Sequence, residues 1–196
     1  MNDQLTSINS QTITRAIAIH GHIDVLVNNA AFISTSVIED LTTADFLAQF
    51  ETNVFGTIRV TRALLPHFCS RRSRTCVFLS SLSGWIGHPG CAPYASSKFA
   101  IEGFAESLQA ETKNLGIKTL VIEPGRFRTS LLSTGNLRTK RSGIEDYAEF
   151  SRAQIEYLAG EDRKQPGDPV KLVHVVMDLV RGEGVAEGRE VTVRLQ

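Results

Sequence analysis

Short runs in which nearly every residue is apolar recur along this chain: Asp24-Val25-Leu26-Val27-Asn28, Thr75-Cys76-Val77-Phe78-Leu79-Ser80 and Lys118-Thr119-Leu120-Val121-Ile122-Glu123. None of them alternates apolar with polar, so each has two faces to hide. That is the mark of a strand lying inside a parallel sheet that is covered on both sides. The stretches between the runs have a helical period instead. Ala16, Ile13 and Ile17 line one side of Ser10–His20, before Gly21 stops the helix. From Thr43 to about Arg71, Phe46, Leu47, Phe50, Val54, Ile58, Thr61, Leu64, Leu65 and Phe68 recur at three and four, which predicts one long helix bent at Pro66. Tyr94–Leu115 is a further helix, ended by Gly116.

Strand, helix, strand, helix, strand is the order of an α/β chain with a doubly wound parallel sheet. At 196 residues, 42% of them hydrophobic, the chain suffices for one domain with one sizeable core, so residues 1–196 are expected to form a single unit. Beyond Thr129 the pattern weakens. A helix from Ile144 to Leu158, a polar linker from Gly160 to Asp168, a helix Pro169–Arg181 opened by its proline, and a closing strand Glu190–Leu195 are expected there.

Composition removes several classes of function. Twenty-one basic residues cancel twenty-one acidic ones, so no net field draws nucleic acid or an anionic membrane surface. Cys69, Cys76 and Cys91 are odd in number and lack a framework spacing, which points to a reduced compartment. His20, His22, His67, His88 and His174 form no cluster with zinc spacing, and no metal is assigned. The start at Met1 lacks a secretory signal and no apolar run spans a bilayer, so a cytoplasmic protein without membrane partners is expected.

The chemistry is concentrated at Tyr94-Ala95-Ser96-Ser97-Lys98, with Ser81 thirteen positions earlier. Residues i and i+4 share a helix face, which brings the Lys98 ammonium near the Tyr94 phenol. A positive charge that close is expected to lower the phenol's pKa from about 10 and make it a usable acid or base. Ser81, at the end of a strand, can donate a hydrogen bond to the same substrate oxygen. Taken singly the Tyr-x-x-x-Lys pair is a weak signal, since such pairs are usually a solvated helix face.

Ser81, Tyr94 and Lys98 stand at the spacing of the catalytic serine, tyrosine and lysine of the short-chain dehydrogenase/reductase family, which this chain resembles. Asn28-Asn29-Ala30-Ala31 is similar to the family's Asn-Asn-Ala-Gly turn, and Asn53-Val54-Phe55-Gly56 to the helix segment with its catalytic asparagine. Pro124-Gly125 with Thr129 is similar to its nicotinamide loop. The resemblance runs from about Ser10 to Thr129 and implies a Rossmann-like fold with NAD or NADP as cofactor. It makes Tyr94 the acid/base and gives Lys98 the ribose and the tuning of that pKa. Ser81 would then orient the carbonyl and Asn53 hold a water, while Asn28, Asn29, Ala30, Pro124, Gly125 and Thr129 would contact the cofactor. For each a plainer reading stands alongside: Asn53 as a hydrogen bonder at a helix kink, Asn28 and Asn29 as a strand-ending turn, Ser81 as loop. Gly84, Gly87 and Gly90 do not follow the dinucleotide fingerprint. They read as a loop that walls the pocket, with Trp85 and His88 as candidate lining residues.

The sequence departs from the family in two ways. The Asn-Asn-Ala turn already comes at Asn28, so the first strands and the glycine-rich turn that would hold the adenosine and pyrophosphate are not seen, and the choice between NAD and NADP is unreadable. A truncated product is therefore expected, with Val25, Leu26 and Val27 on a sheet edge, each losing about 1.5–3 kcal/mol if fully exposed. Ala31 replaces a glycine, at a cost of roughly 1 kcal/mol if the turn needs a positive φ. The expected activity is hydride transfer between a nicotinamide and a small apolar carbonyl or secondary alcohol. Residues 126–160, with Phe127, Leu131, Leu132, Tyr147, Phe150 and Tyr157, are expected to form a lid. A homo-oligomer packed through the helices at 43–71 and 94–115 is implied by the resemblance. The rival reading is a non-catalytic chain that pairs with intact relatives, or a remnant.

Overall fold

The computed structural model describes residues 4–188 and 194–195, with side chains described over residues 11–188. Four parallel strands form the main sheet in the order β1-β3-β4-β6: β1 Val25–Asn28, β3 Arg74–Leu79, β4 Ile117–Ile122 and β6 Arg194–Leu195. Val27 is in register with Val77, and Val77 with Leu120, so the three apolar runs of the sequence lie side by side. Of the expected last strand, Arg194 and Leu195 pair with β4, while residues 190–193 lie outside the described residues.

Alternation along each central strand divides the core in two. Cys76, Phe78, Ile117 and Val121 face a layer that includes Leu64, Phe68, Ile101, Ala105 and Leu108. These come from α3 (Thr57–Arg71) and α4 (Ala92–Thr112), with Ile13 and Ile17 of α1 (Gln4–His20) packed at the margin. Val77, Leu120 and Ile122 face the other way, against Leu179 of α6 (Pro169–Arg181) and Ala186. Helices therefore cover both faces, and the fold is the doubly wound α/β arrangement expected from the unbroken apolar runs.

The long helix expected from Thr43 to Arg71 is divided, and not at Pro66. A first piece, α2 (Thr43–Phe50), begins with Thr42 and Asp45 in a reciprocal capping box. A wide π turn over Glu51–Gly56 then leads into α3, in which Pro66 sits without a break. The interruption is at Asn53, whose buried side chain is engaged outside its own helix, a known setting for such a bulge.

A second, two-stranded parallel sheet was not legible in the sequence. It joins β2 (Ile33–Thr35) to β5 (Leu137–Thr139), with Ile33 opposite Leu137. The Arg138 guanidinium lies 3.9 Å from the centre of the Phe32 ring, reinforcing the junction. α5 (Ala148–Glu161) follows and is fastened elsewhere: Gln154 Nε2 donates to the Pro89 carbonyl at 2.6 Å. Among the described residues no helix is long and apolar enough to cross a membrane.

Candidate active site

Asn29, Ser81, Tyr94, Lys98 and Thr129 meet at the carboxyl ends of β1, β3 and β4, where an open parallel sheet leaves its crevice. A cavity of about 410 Å³ lies there. Asn29 and Ala30 reach it from the end of β1, and Ser81 from the turn after β3. Tyr94 and Lys98 enter from the first turns of α4, and Pro124, Gly125 and Thr129 from the loop after β4.

Tyr94 is 5% exposed and Lys98 4% exposed. The Lys98 ammonium stands 5.6 Å from the centre of the Tyr94 ring and donates a hydrogen bond to the Leu79 carbonyl at 2.6 Å. Burial determines both pKa values here. It raises that of the Tyr94 phenol above its ordinary value, with the Ser81 hydroxyl pulling the other way and Cys91 adding a smaller push upward. It lowers that of Lys98 to about 8, against the opposing pull of Glu102 one turn further along α4. The expectation that Lys98 draws the phenol's pKa down is thus corrected. In the ligand-free chain the loss of water around the phenol dominates, and the phenol keeps its proton at neutral pH.

The first turn of α4 is held from behind. Asn53 Nδ2 donates to Ser97 Oγ at 3.1 Å, and Ser97 Oγ donates to the Tyr94 carbonyl at 2.7 Å. The rest of the Asn53 carboxamide is occupied by Phe32, whose N–H it accepts and whose carbonyl it donates to, both at 3.2 Å. Asn53 does not line the cavity, and its position agrees with the plainer reading of a hydrogen bonder at a kink. Asn28 is also turned away, its Nδ2 donating to Thr61 Oγ1 at 3.4 Å. Thr129 borders the cavity while its hydroxyl accepts from the Leu131 N–H.

Several expectations for the surrounding loops are revised. Trp85 and His88 are exposed and do not line the cavity. Gly84 is instead pressed onto α4: a Cβ there would lie 2.9 Å from Glu102 Oε1. Ala31 has no positive φ, so the turn stores no strain at that residue. Of the aromatic and aliphatic residues expected over the pocket, Phe127, Leu131 and Leu132 line it, whereas Tyr147, Phe150 and Tyr157 are exposed elsewhere. Asn136, Gln165 and Leu172 line the cavity without having been singled out in the sequence. Gln165 lies in what reads as a polar linker, and only the fold reveals that it turns inward.

The family model described as short chain dehydrogenase matches residues 5–140. The chain belongs to the short chain dehydrogenase family. Oxidoreductase YusZ of Bacillus subtilis is 37% identical over 167 residues, covering 84% of this chain and 59% of that protein. A 3-ketodihydrosphingosine reductase of Bacteroides thetaiotaomicron is 31% identical, over 78% of this chain and 57% of its own length. The chain therefore spans rather less than two thirds of these short chain dehydrogenase relatives. The crystal structure of a short-chain dehydrogenase from Streptomyces avermitilis superposes on the whole chain with a TM-score of 0.82 at 31% identity, and 68% of that structure is covered. The fold described above is thus that of the family's Rossmann-fold oxidoreductases.

Proposed function

We propose that this chain carries the carbonyl-reducing or alcohol-oxidising site of an NAD(P)-dependent oxidoreductase, with Tyr94 exchanging the proton. The observation that carries this reading is the buried phenol at the cavity wall, flanked by the Lys98 ammonium and faced by the Ser81 hydroxyl. A buried tyrosine that keeps its proton up to high pH is a poor ornament but a good donor. The relative named for reducing a 3-keto compound fits the same direction of reaction.

The residues present suit the nicotinamide end of such a coenzyme. A buried cation, the Asn29-Ala30 turn and the Pro124-Gly125 loop border one cavity, and these would hold the ribose and the ring. When bound, the coenzyme supplies or accepts the hydride. In the reducing direction Ser81 donates a hydrogen bond to the carbonyl oxygen and holds it beside the phenol. Tyr94 releases its proton to that oxygen as the carbonyl carbon receives the hydride, leaving an alcohol and a phenolate. The Lys98 ammonium then stabilises the phenolate until solvent restores the proton. Asn53 acts at a distance, by fixing Ser97 and through it the backbone of Tyr94.

Phe127, Leu131, Leu132 and Leu172 give the cavity an apolar side, which suits a small apolar substrate, and the part of 126–160 that borders it ends at Asn136. A second copy of the chain would pack on residues 43–71 and 94–115, where Leu47, Phe55 and Phe99 are exposed. The test is Tyr94→Phe. Turnover is expected to fall by about 10²–10⁴-fold, while quenching of protein fluorescence by NADH or NADPH is unchanged. Activity retained in that variant removes Tyr94 from the reaction.

A further inference from the structure

Gln165 precedes α6 in a segment that is fixed more firmly than its composition suggests. Arg128 Nη1 donates to the Gln165 carbonyl at 2.7 Å and to the Pro166 carbonyl at 2.8 Å. The Gly167 N–H donates to the Arg126 carbonyl at 2.8 Å, and the Arg128 N–H donates to the Gly167 carbonyl at 3.0 Å. A Cβ on Gly167 would come within 2.7 Å of that Arg126 carbonyl oxygen and closer still to the Phe127 ring, so the two chain segments are in direct contact. The backbone of Gln165 is thus bolted to the loop that follows Pro124-Gly125.

The side chain has no comparable support. Gln165 is 4% exposed and lines the cavity, yet its Oε1 is enclosed with no hydrogen-bond partner. A carboxamide oxygen removed from water without a donor is destabilising, and a side chain on a pinned backbone has little freedom to turn back to solvent. In the neighbouring wall the Asn136 amide donates to the Ser130 carbonyl and the Thr129 hydroxyl accepts from Leu131, and neither reaches Gln165 Oε1. A molecule that fills the cavity can supply the donor that this acceptor lacks.

We propose that Gln165 is a ligand-binding residue whose carboxamide oxygen accepts a hydrogen bond from an N–H or O–H group of the molecule bound in the cavity. This rests on the cavity being the coenzyme and substrate site. Two sources present that chemistry: the amide group of a nicotinamide ring, and a hydroxyl on the carbonyl substrate next to the reacting centre. Either way the residue selects for a donor at this point of the wall, where the adjoining surface of Leu131, Leu132 and Leu172 selects only for apolar bulk.

Gln165→Met keeps the length of the side chain and removes the acceptor. A residue serving a structural role would lower the melting temperature on replacement. The orphaned acceptor predicts the reverse, a rise of about 2–4 °C for the ligand-free chain by differential scanning calorimetry. With ligand the sign inverts. Should the donor belong to the coenzyme, the Kd for NADH or NADPH in a fluorescence titration weakens about tenfold. Should it belong to the substrate, coenzyme affinity is unchanged. In that case kcat/KM falls about tenfold for a hydroxyketone such as hydroxyacetone and stays level for acetone. A lower melting temperature in the ligand-free variant, or an equal loss toward both ketones with unchanged coenzyme affinity, overturns the proposal. A wild-type chain that binds neither coenzyme defeats the reading of the cavity, and the calorimetric comparison still decides Gln165.

Discussion

Lys98 shows how a single buried charge makes stability depend on pH. Its pKa is near 8 in the folded chain and 10.5 when solvated, so between those values the unfolded chain binds more protons than the folded one. Stability therefore rises as pH increases from about 8 to 10.5. Below 8 both states hold the proton and the full penalty of the buried ammonium is present, about 3 kcal/mol for a difference of that size. Lys98→Met is accordingly expected to melt higher than wild type at pH 7, with the gap narrowing steadily toward pH 10. A gap of constant size across that range would show that the ammonium is not the cause. Ionisation of Tyr94 enters only above pH 10, because burial raises its pKa, and there it works in the opposite sense. The types and spacing of Tyr94, Lys98 and Ser81 were legible in the sequence because helical periodicity alone aligns residues four apart. The direction of their pKa shifts was not, since desolvation depends on what the fold packs around them.

The helical elements carry the site through backbone groups that no periodicity reveals. Phe46, Phe50, Val54 and Ile58 follow one helical stripe through residues 43–71, which is why the sequence reads as one helix. Yet the π turn at Glu51–Gly56 comes from Asn53 reaching across to Phe32 and Ser97. Apolar spacings of three and four continue across the π turn, so the sequence reads as one unbroken α-helix with Pro66 as its evident bend. The same blindness applies to β2 and β5, strands of three residues each whose pairing spans roughly a hundred positions. Asn53→Leu tests the Asn53 link. It leaves the Phe32 N–H without the acceptor that it uses at 3.2 Å, while the Phe32 carbonyl keeps the Gln49 Nε2 donor at 2.7 Å. A loss of about 2 kcal/mol is expected, seen as a melting temperature lower by roughly 4–8 °C. Ser97, freed from Asn53, should then let the first turn of α4 loosen, which amide hydrogen exchange at Ala95–Lys98 would register. Unchanged exchange there would confine Asn53 to holding the Phe32 turn.

At the scale of the whole molecule, one exposed feature among the described residues is the outer edge of β1. Among the described residues β1 pairs only with β3, leaving a row of backbone donors and acceptors open on its other side. The apolar content of that edge is smaller than the sequence implies. Val25 packs toward the α6 side of the sheet and Leu26 toward α1 and α3, both half-buried, so of the three apolar residues Val27, 52% exposed, is the one most open to water. An open edge with one apolar side chain is a template for pairing with another copy, although a strand of four residues limits its strength. Val27→Lys places a charge on that edge without entering the core. It is expected to lower the weight-average mass in sedimentation at high protein concentration, with a melting temperature within about 2 °C of wild type. The helix faces predict a different outcome. If copies associate through α4, Phe99→Glu disperses them and Val27→Lys does not, because Phe99 is exposed on α4. Dispersal by Val27→Lys alone would instead assign self-association to the sheet edge, and the crevice at the carboxyl end of β1, where Asn29 and Ala30 meet Tyr94, would then lie next to the contact between copies.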